Sequence, residues 1–139
     1  MLATPIKPPI FPWFDYRNYS FSLGIIAGNK AYLSGHTASE YDAEEKRIVV
    51  NGDMGHQVRT AYSKIGAILG EAGLEYNDVA RVVEYIRPEG MIFYSELAKI
   101  RAEIFGKDQP VVNVVPVKAL LRPSALVEIE VTANIGKQN

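Results

Sequence analysis

A chain of 139 residues with 47% hydrophobic content has the size of one globular domain, large enough to bury a core without covalent staples. Its 15 Lys and Arg offset 16 Asp and Glu to a net charge of -1, which argues against a broad phosphate-binding surface and against nucleic acid as the main partner. Lack of cysteine excludes disulfides, a thiol nucleophile and thiolate metal sites, and having only two histidines, His36 and His56, narrows the remaining metal options.

Residues 1–18 carry Pro5, Pro8, Pro9 and Pro12 with Phe11, Trp13, Phe14 and Tyr16, a stiff arm that cannot be helical through its prolines. Those aromatic side chains would form a costly apolar patch in water, so the arm is expected to dock on a single domain spanning 19–139. The prolines also interrupt any apolar helix of an export signal, and no run is long enough to cross a bilayer, so a soluble, cytoplasmic protein with no membrane partner is expected.

Residues 21–27 and 30–34 read as short strands joined at Gly28-Asn29, a pair suited to a tight hairpin. Residues 39–47 read as a charged loop and 48–50 as a short strand. Asp53 then caps a helix whose apolar positions, Val58, Ala61, Tyr62, Ile65, Ile68, Leu69 and Ala72, form one buried stripe ending at Gly73. His56, in its first turn, reads as a surface residue. A strand over 79–86 closes at Arg87-Pro88, and a second helix is predicted over 91–105, burying Phe93, Leu97, Ile100 and Ile104 before Gly106. Strands near 111–117 and 126–135 complete the order β-β-(β)-α-β-α-β-β.

In the last strand, strict alternation puts Val127, Ile129 and Val131 on one face and Glu128, Glu130 and Thr132 on the other. Two acids on one face mean either that it meets water or that a second surface covers it and holds the carboxylates for binding or acid/base work. The pattern predicts an α+β fold, a mixed sheet with two helices on one face. The chain offers nothing to cover the other face, so a subunit interface is expected there, with Glu84 as a further acid upon it.

Together these segments resemble the Rid family, also called YjgF, YER057c or UK114, from about Tyr19 to Ile135. The likeness is carried by Tyr19-Ser20-Phe21-Ser22, by Ala27-Gly28-Asn29-Lys30-Ala31-Tyr32-Leu33-Ser34-Gly35, by Gly52-Asp53 with Gln57 and Arg59, and by Val127-Glu128-Ile129-Glu130. The resemblance implies a fold like that of trimeric chorismate mutase and a homotrimer with a small cleft at each subunit boundary. It also implies hydrolysis of reactive enamines and imines, with release of ammonia and with no metal or organic cofactor. Deamination of ring-cleavage products such as aminomuconate is one version of that chemistry.

In such proteins an arginine of a Pro-x-Arg-Ser segment grips the substrate carboxylate. The corresponding segment is Pro110-Val111-Val112-Asn113, so Val112 stands where that arginine is expected, and substrates of the 2-iminopropanoate kind should be poor. Phe21 replaces the tyrosine of the Tyr-Ser pair, and His36 stands where the family has another polar residue.

Glu128 matches the family glutamate and is the candidate proton handler, its alternative being an interface carboxylate. His36, at a strand end, is the candidate assistant or a hydrogen-bond donor, its alternative being a satisfied loop histidine. Ser22, Phe21, Val112 and Asn113 are candidate substrate-binding positions. Arg87 and Arg122 are the cations available to a substrate acid, although both read more simply as surface residues. A non-catalytic trimer that binds a small metabolite is the second functional reading, and a nuclease the third.

Overall fold

The computed structural model describes residues 2–136. Its main sheet has six strands, β1 Thr4–Pro5, β2 Gly24–Ala27, β3 Lys30–Leu33, β6 Val79–Ile86, β7 Val111–Pro116 and β8 Val127–Asn134, of which β6 and β8 carry the clearest alternation of buried and outward side chains. They are ordered β1-β2-β3-β8-β6-β7, with β6 and β7 parallel and every other pair antiparallel. The β2–β3 hairpin turns at Gly28, whose φ of 63° is a conformation that costs glycine little. Strand β8 is thus paired on both sides, which fixes the direction of each of its side chains.

Helix α1, Met54–Glu71, begins at Asp53, whose Oδ1 accepts the His56 amide at 3.0 Å, a cap worth about 1 kcal/mol. Its stripe from Val58 to Leu69 packs on Val127, Ile129 and Val131 together with α3, Tyr94–Phe105, so both long helices cover one face of the mixed α+β sheet. The second predicted helix is divided. Pro88 starts the one-turn helix α2, Pro88–Met91, and the chain leaves helical geometry at Phe93 (φ -107°, ψ 18°) before α3 begins.

Two expectations are corrected. The charged stretch after residue 38 is a hairpin, β4 Ser39–Asp42 against β5 Arg47–Val50, in place of a loop. Its tip closes because Asp42 Oδ1 accepts the amides of Glu44 and Glu45 at 2.9 and 3.0 Å and Lys46 takes a φ of 54°. Glu84 shares a face with Val82 and Ile86, but that face is the core: it is 0% exposed beneath α3, and Arg101 Nη1 donates to both of its carboxylate oxygens at 2.9 and 2.8 Å.

In the arm, β1 extends the sheet edge, Ile6, Phe11 and Phe14 are buried, and Phe11 meets the rings of Trp13, Phe14 and Tyr16 edge-on. The sheet face away from the helices carries Glu128, Glu130, Thr132, Val83 and Tyr85. Beside it, edge strand β7 exposes Val111, Val114 and Val115, an apolar strand edge of the kind that pairs with another surface. Among the described residues no helix is long and apolar enough to cross a membrane.

Candidate functional site

After β3 the chain runs through Gly35 and His36 alongside β8. The His36 amide donates to the Ile129 carbonyl at 2.8 Å and the Ile129 amide donates back at 2.9 Å, so this segment extends the sheet by one rung. That rung sets Gly35 against Glu128. A Cβ on Gly35 would stand 3.0 Å from Glu128 Cδ and Oε2, so the carboxyl lies where only a glycine leaves room.

The two residues open onto a cleft of about 120 Å³, with Phe14, Tyr19 and Phe21 forming an aromatic wall and Arg122 arriving from the loop before β8. Tyr19 stacks on Phe14 with centroids 5.3 Å apart and touches Phe21 at 5.2 Å. Burial raises the Glu128 pKa above the ordinary carboxyl value, and the neighbouring Glu130 charge raises it further. Glu130 itself accepts the Tyr85 hydroxyl at 3.0 Å.

His36 is a neutral imidazole at physiological pH. Burial and the nearby Lys64 charge push its pKa down to about 3, the Leu23 carbonyl opposes them, and Nε2 has no hydrogen-bond partner. A neutral ring can accept or donate a hydrogen bond, but it cannot serve as an imidazolium acid.

Beneath the cleft lies Lys64, 0% exposed. Its ammonium donates to the Thr37 carbonyl at 2.8 Å, to the Ser39 carbonyl and to Ser39 Oγ at 3.1 Å, which pins the segment carrying His36 onto α1. Burial draws its pKa down to about 7, with Glu40 opposing the fall and Arg122 adding to it. The unfolded chain therefore binds this proton more tightly than the folded one. Stability is expected to rise from about pH 7 toward the onset of tyrosine ionisation near pH 10, and Lys64→Met to flatten that slope in thermal melts across the range.

The loop before β8 is held from two sides. Gln57, 2% exposed, accepts the Leu126 amide at 2.8 Å and donates to the carbonyls of Gly52 and Ser124 at 3.0 and 3.3 Å. Arg87 donates to the carbonyls of Pro123 and Ala125 and pairs with Glu89 at 3.3 Å. Arg87 is thus a structural residue of this loop, whereas Arg122 is in no ion pair among the described residues.

Of the residues singled out in the sequence, Glu128, His36 and Phe21 meet in this cleft. Ser22 lines a neighbouring hollow of about 660 Å³, and its carbonyl accepts Ser34 Oγ at 2.6 Å. Val112 packs half-buried against the core, and Asn113, in register with Val83, faces the open side of β7. Strand β6 separates them from the Glu128 strand β8 within one chain. Phe14, Tyr19, Gln57 and Lys64 went unrecognised as site residues. Gln57 and Lys64 had a signal, since both are polar side chains on the buried stripe of α1. Among the described residues no three His, Asp or Glu side chains gather as a metal site would require.

Comparison with known proteins gives these features a family. The sequence profile described as Endoribonuclease L-PSP matches residues 16–135. A RutC family protein of Pyrococcus horikoshii is 33% identical over 113 residues, 81% of this chain and 85% of that protein. A Mycobacterium tuberculosis member of the YjgF/YER057c/UK114 family superposes with a TM-score of 0.72 at 29% identity, covering 86% of this chain and 91% of that one. A Rid family protein of unknown function from Yersinia pestis superposes at 0.77, covering 96% and 100%, and at 24% identity it speaks for the fold. With its profile, its relatives and its sheet-and-helix layout in agreement, the chain belongs to the YjgF/YER057c/UK114 (Rid) family, the one described as Endoribonuclease L-PSP.

Proposed function

We propose that the chain is a cofactor-independent hydrolase of small unsaturated nitrogen compounds, enamines and imines, acting in the Glu128 cleft. The observation that carries this reading is Glu128 itself: a carboxyl in an aromatic-walled recess, with its pKa raised by burial and by Glu130. A group so tuned holds a proton closer to neutrality than an exposed glutamate does, and can both give and take one.

The reaction balances with one carboxyl. Glu128 in its acid form protonates the imine nitrogen, or the enamine carbon to give an iminium. As carboxylate it then takes a proton from the water that adds to the C=N carbon. Returning that proton to nitrogen turns it into an ammonium leaving group; as ammonia departs, the Glu128 carboxylate takes the proton of the new hydroxyl, which leaves a carbonyl and restores the acid form. His36, neutral and with a free Nε2, hydrogen-bonds the substrate or the attacking water.

We further infer that three copies close around one another, covering the acidic sheet face and the apolar edge of β7. In that arrangement the β7 of one copy, with Asn113 on its outer face, would complete a neighbour's cleft, while Val112 stays turned to its own core. Valine at 112 favours substrates other than 2-iminopropanoate, and it is also the observation behind the second reading, a trimer that binds a small metabolite without turning it over. A net charge of -1 weighs against RNA as substrate.

The test is ammonia release from imines generated in situ, followed beside sedimentation of the same sample. Release faster than the spontaneous reaction from a trimeric species is expected. A monomer without activity would sink the reading, and ligand-dependent thermal shifts without ammonia would favour the binding trimer.

A further inference from the structure

We propose that Arg122 is the anion-binding residue of the Glu128 cleft and that its ligand is a small organic acid, held by its carboxylate from the loop before β8. Val112 cannot fill that role, and its side chain packs toward the core. Arg122 is placed to fill it. It lines the cleft, it is half-buried, and it is in no ion pair among the described residues.

A guanidinium partly withdrawn from water and in no ion pair among the described residues has a charge left to satisfy, and its planar fork matches a carboxylate. The loop that carries it is not free to turn it away. Gln57 and Arg87 fix the carbonyls and amides of residues 123–126, so Arg122 is presented from a preorganised backbone. The potential also fits. Lys64 lies beneath the same cleft, close enough for the Arg122 charge to oppose its own, while Glu40 acts the other way on Lys64. An incoming carboxylate relieves that repulsion.

The proposal rests on the cleft being a substrate site, and it narrows the substrate to nitrogen compounds that also carry a carboxylate. Holding that carboxylate from the β8 loop, and not from β7, sets a different spacing between the acid and the reacting C=N carbon. This gives the family's Val112 position freedom to change while acid recognition persists.

The test uses stable probes, so that it does not depend on turnover: 2-oxobutanoate, and its methyl ester as the uncharged counterpart. Binding to the full-length protein is followed by calorimetry and by the Gly35 amide shift. The acid is expected to bind the wild type more tightly than the ester, and to weaken as salt rises. Arg122→Gln is expected to lose about 10- to 100-fold in acid affinity with the ester unchanged, and Arg122→Lys to recover part of the loss. Arg59→Gln, which makes the same charge change on the far surface of α1, is expected to bind like the wild type.

Equal acid binding by wild type and Arg122→Gln overturns the assignment, as does a wild type that binds no acid. Arg122-dependent acid binding without ammonia release would sink the hydrolase reading and leave this one standing. Ammonia release with Arg122-independent acid binding would do the reverse.

Discussion

Glu128→Gln is expected to lower the rate of ammonia release by about 10²-fold or more, the loss that follows removal of a positioned proton donor and acceptor. Glutamine keeps the shape that fits against Gly35 and can still hydrogen-bond, so the cleft stays intact and only proton transfer is removed. Stability is expected to move the other way. Because burial raises the Glu128 pKa, the folded state holds this proton more tightly than the unfolded one. The stability it contributes is fully present below the ordinary carboxyl pKa and is lost as pH rises through the folded value. The glutamine variant escapes that loss, so at neutral pH its melting temperature should equal or exceed that of the wild type. The same electrostatics predict that Glu130→Gln moves the alkaline limb of the pH–rate profile, where Glu128 loses the proton it must donate, to lower pH, since the Glu130 charge is the second cause of the raised pKa. A Glu128→Gln enzyme with undiminished ammonia release would remove the proton handler from the mechanism.

How much of this was legible in the sequence depended on how local the determining interaction is. The alternation of residues 127–132 is a property of the strand alone, and the structure keeps it: Val127, Ile129 and Val131 are 0–1% exposed while Glu128 and Glu130 face away from the helices. Asp53 and the α1 stripe were readable for the same reason, a cap and a period that need no partner. Glu84 was misplaced because its partner, Arg101, comes from α3, and no local pattern says that a guanidinium will reach into the core to meet it. The strand over 48–50 was readable as part of β5, but its partner β4 is short and polar, and the turn between them depends on one aspartate accepting two amides, so the hairpin was not.

The candidate site divides along the same line. Glu128 and His36 could be named from the sequence, but their meeting needs the backbone rung between His36 and Ile129 and the missing side chain at Gly35. Arg87 and Arg122, indistinguishable as two cations beside prolines, take opposite roles. One is consumed by backbone carbonyls and the other is left facing the cleft.

Arg101→Met is expected to be the most destabilising of these changes, by about 3–5 kcal/mol, because it strands the Glu84 carboxylate in a site with no exposure to water. Against a total of about 5–15 kcal/mol for a domain, that corresponds to a fall in melting temperature on the order of 10 °C or more. The pH dependence identifies the cause. Burial already raises the Glu84 pKa, and what opposes burial is the hydrogen bond and charge of Arg101. Removing Arg101 raises the pKa further. The variant should therefore be near wild type below the ordinary carboxyl pKa, where Glu84 carries a proton in both states, and should lose stability as pH rises through the elevated folded value. Adding Glu84→Leu to Arg101→Met removes the stranded charge and is expected to recover most of the loss at neutral pH, since an apolar pair in a well-packed core is often as stable as the ion pair it replaces. Melts of the single and double variants at acidic and neutral pH decide the matter. If the double variant is no more stable than the single one, packing by the Arg101 side chain outweighs its charge. The consequence reaches the cleft through the sheet, because Glu84 lies on β6 between Val83 and Tyr85, whose partners in register on β8 are Glu130 and Glu128.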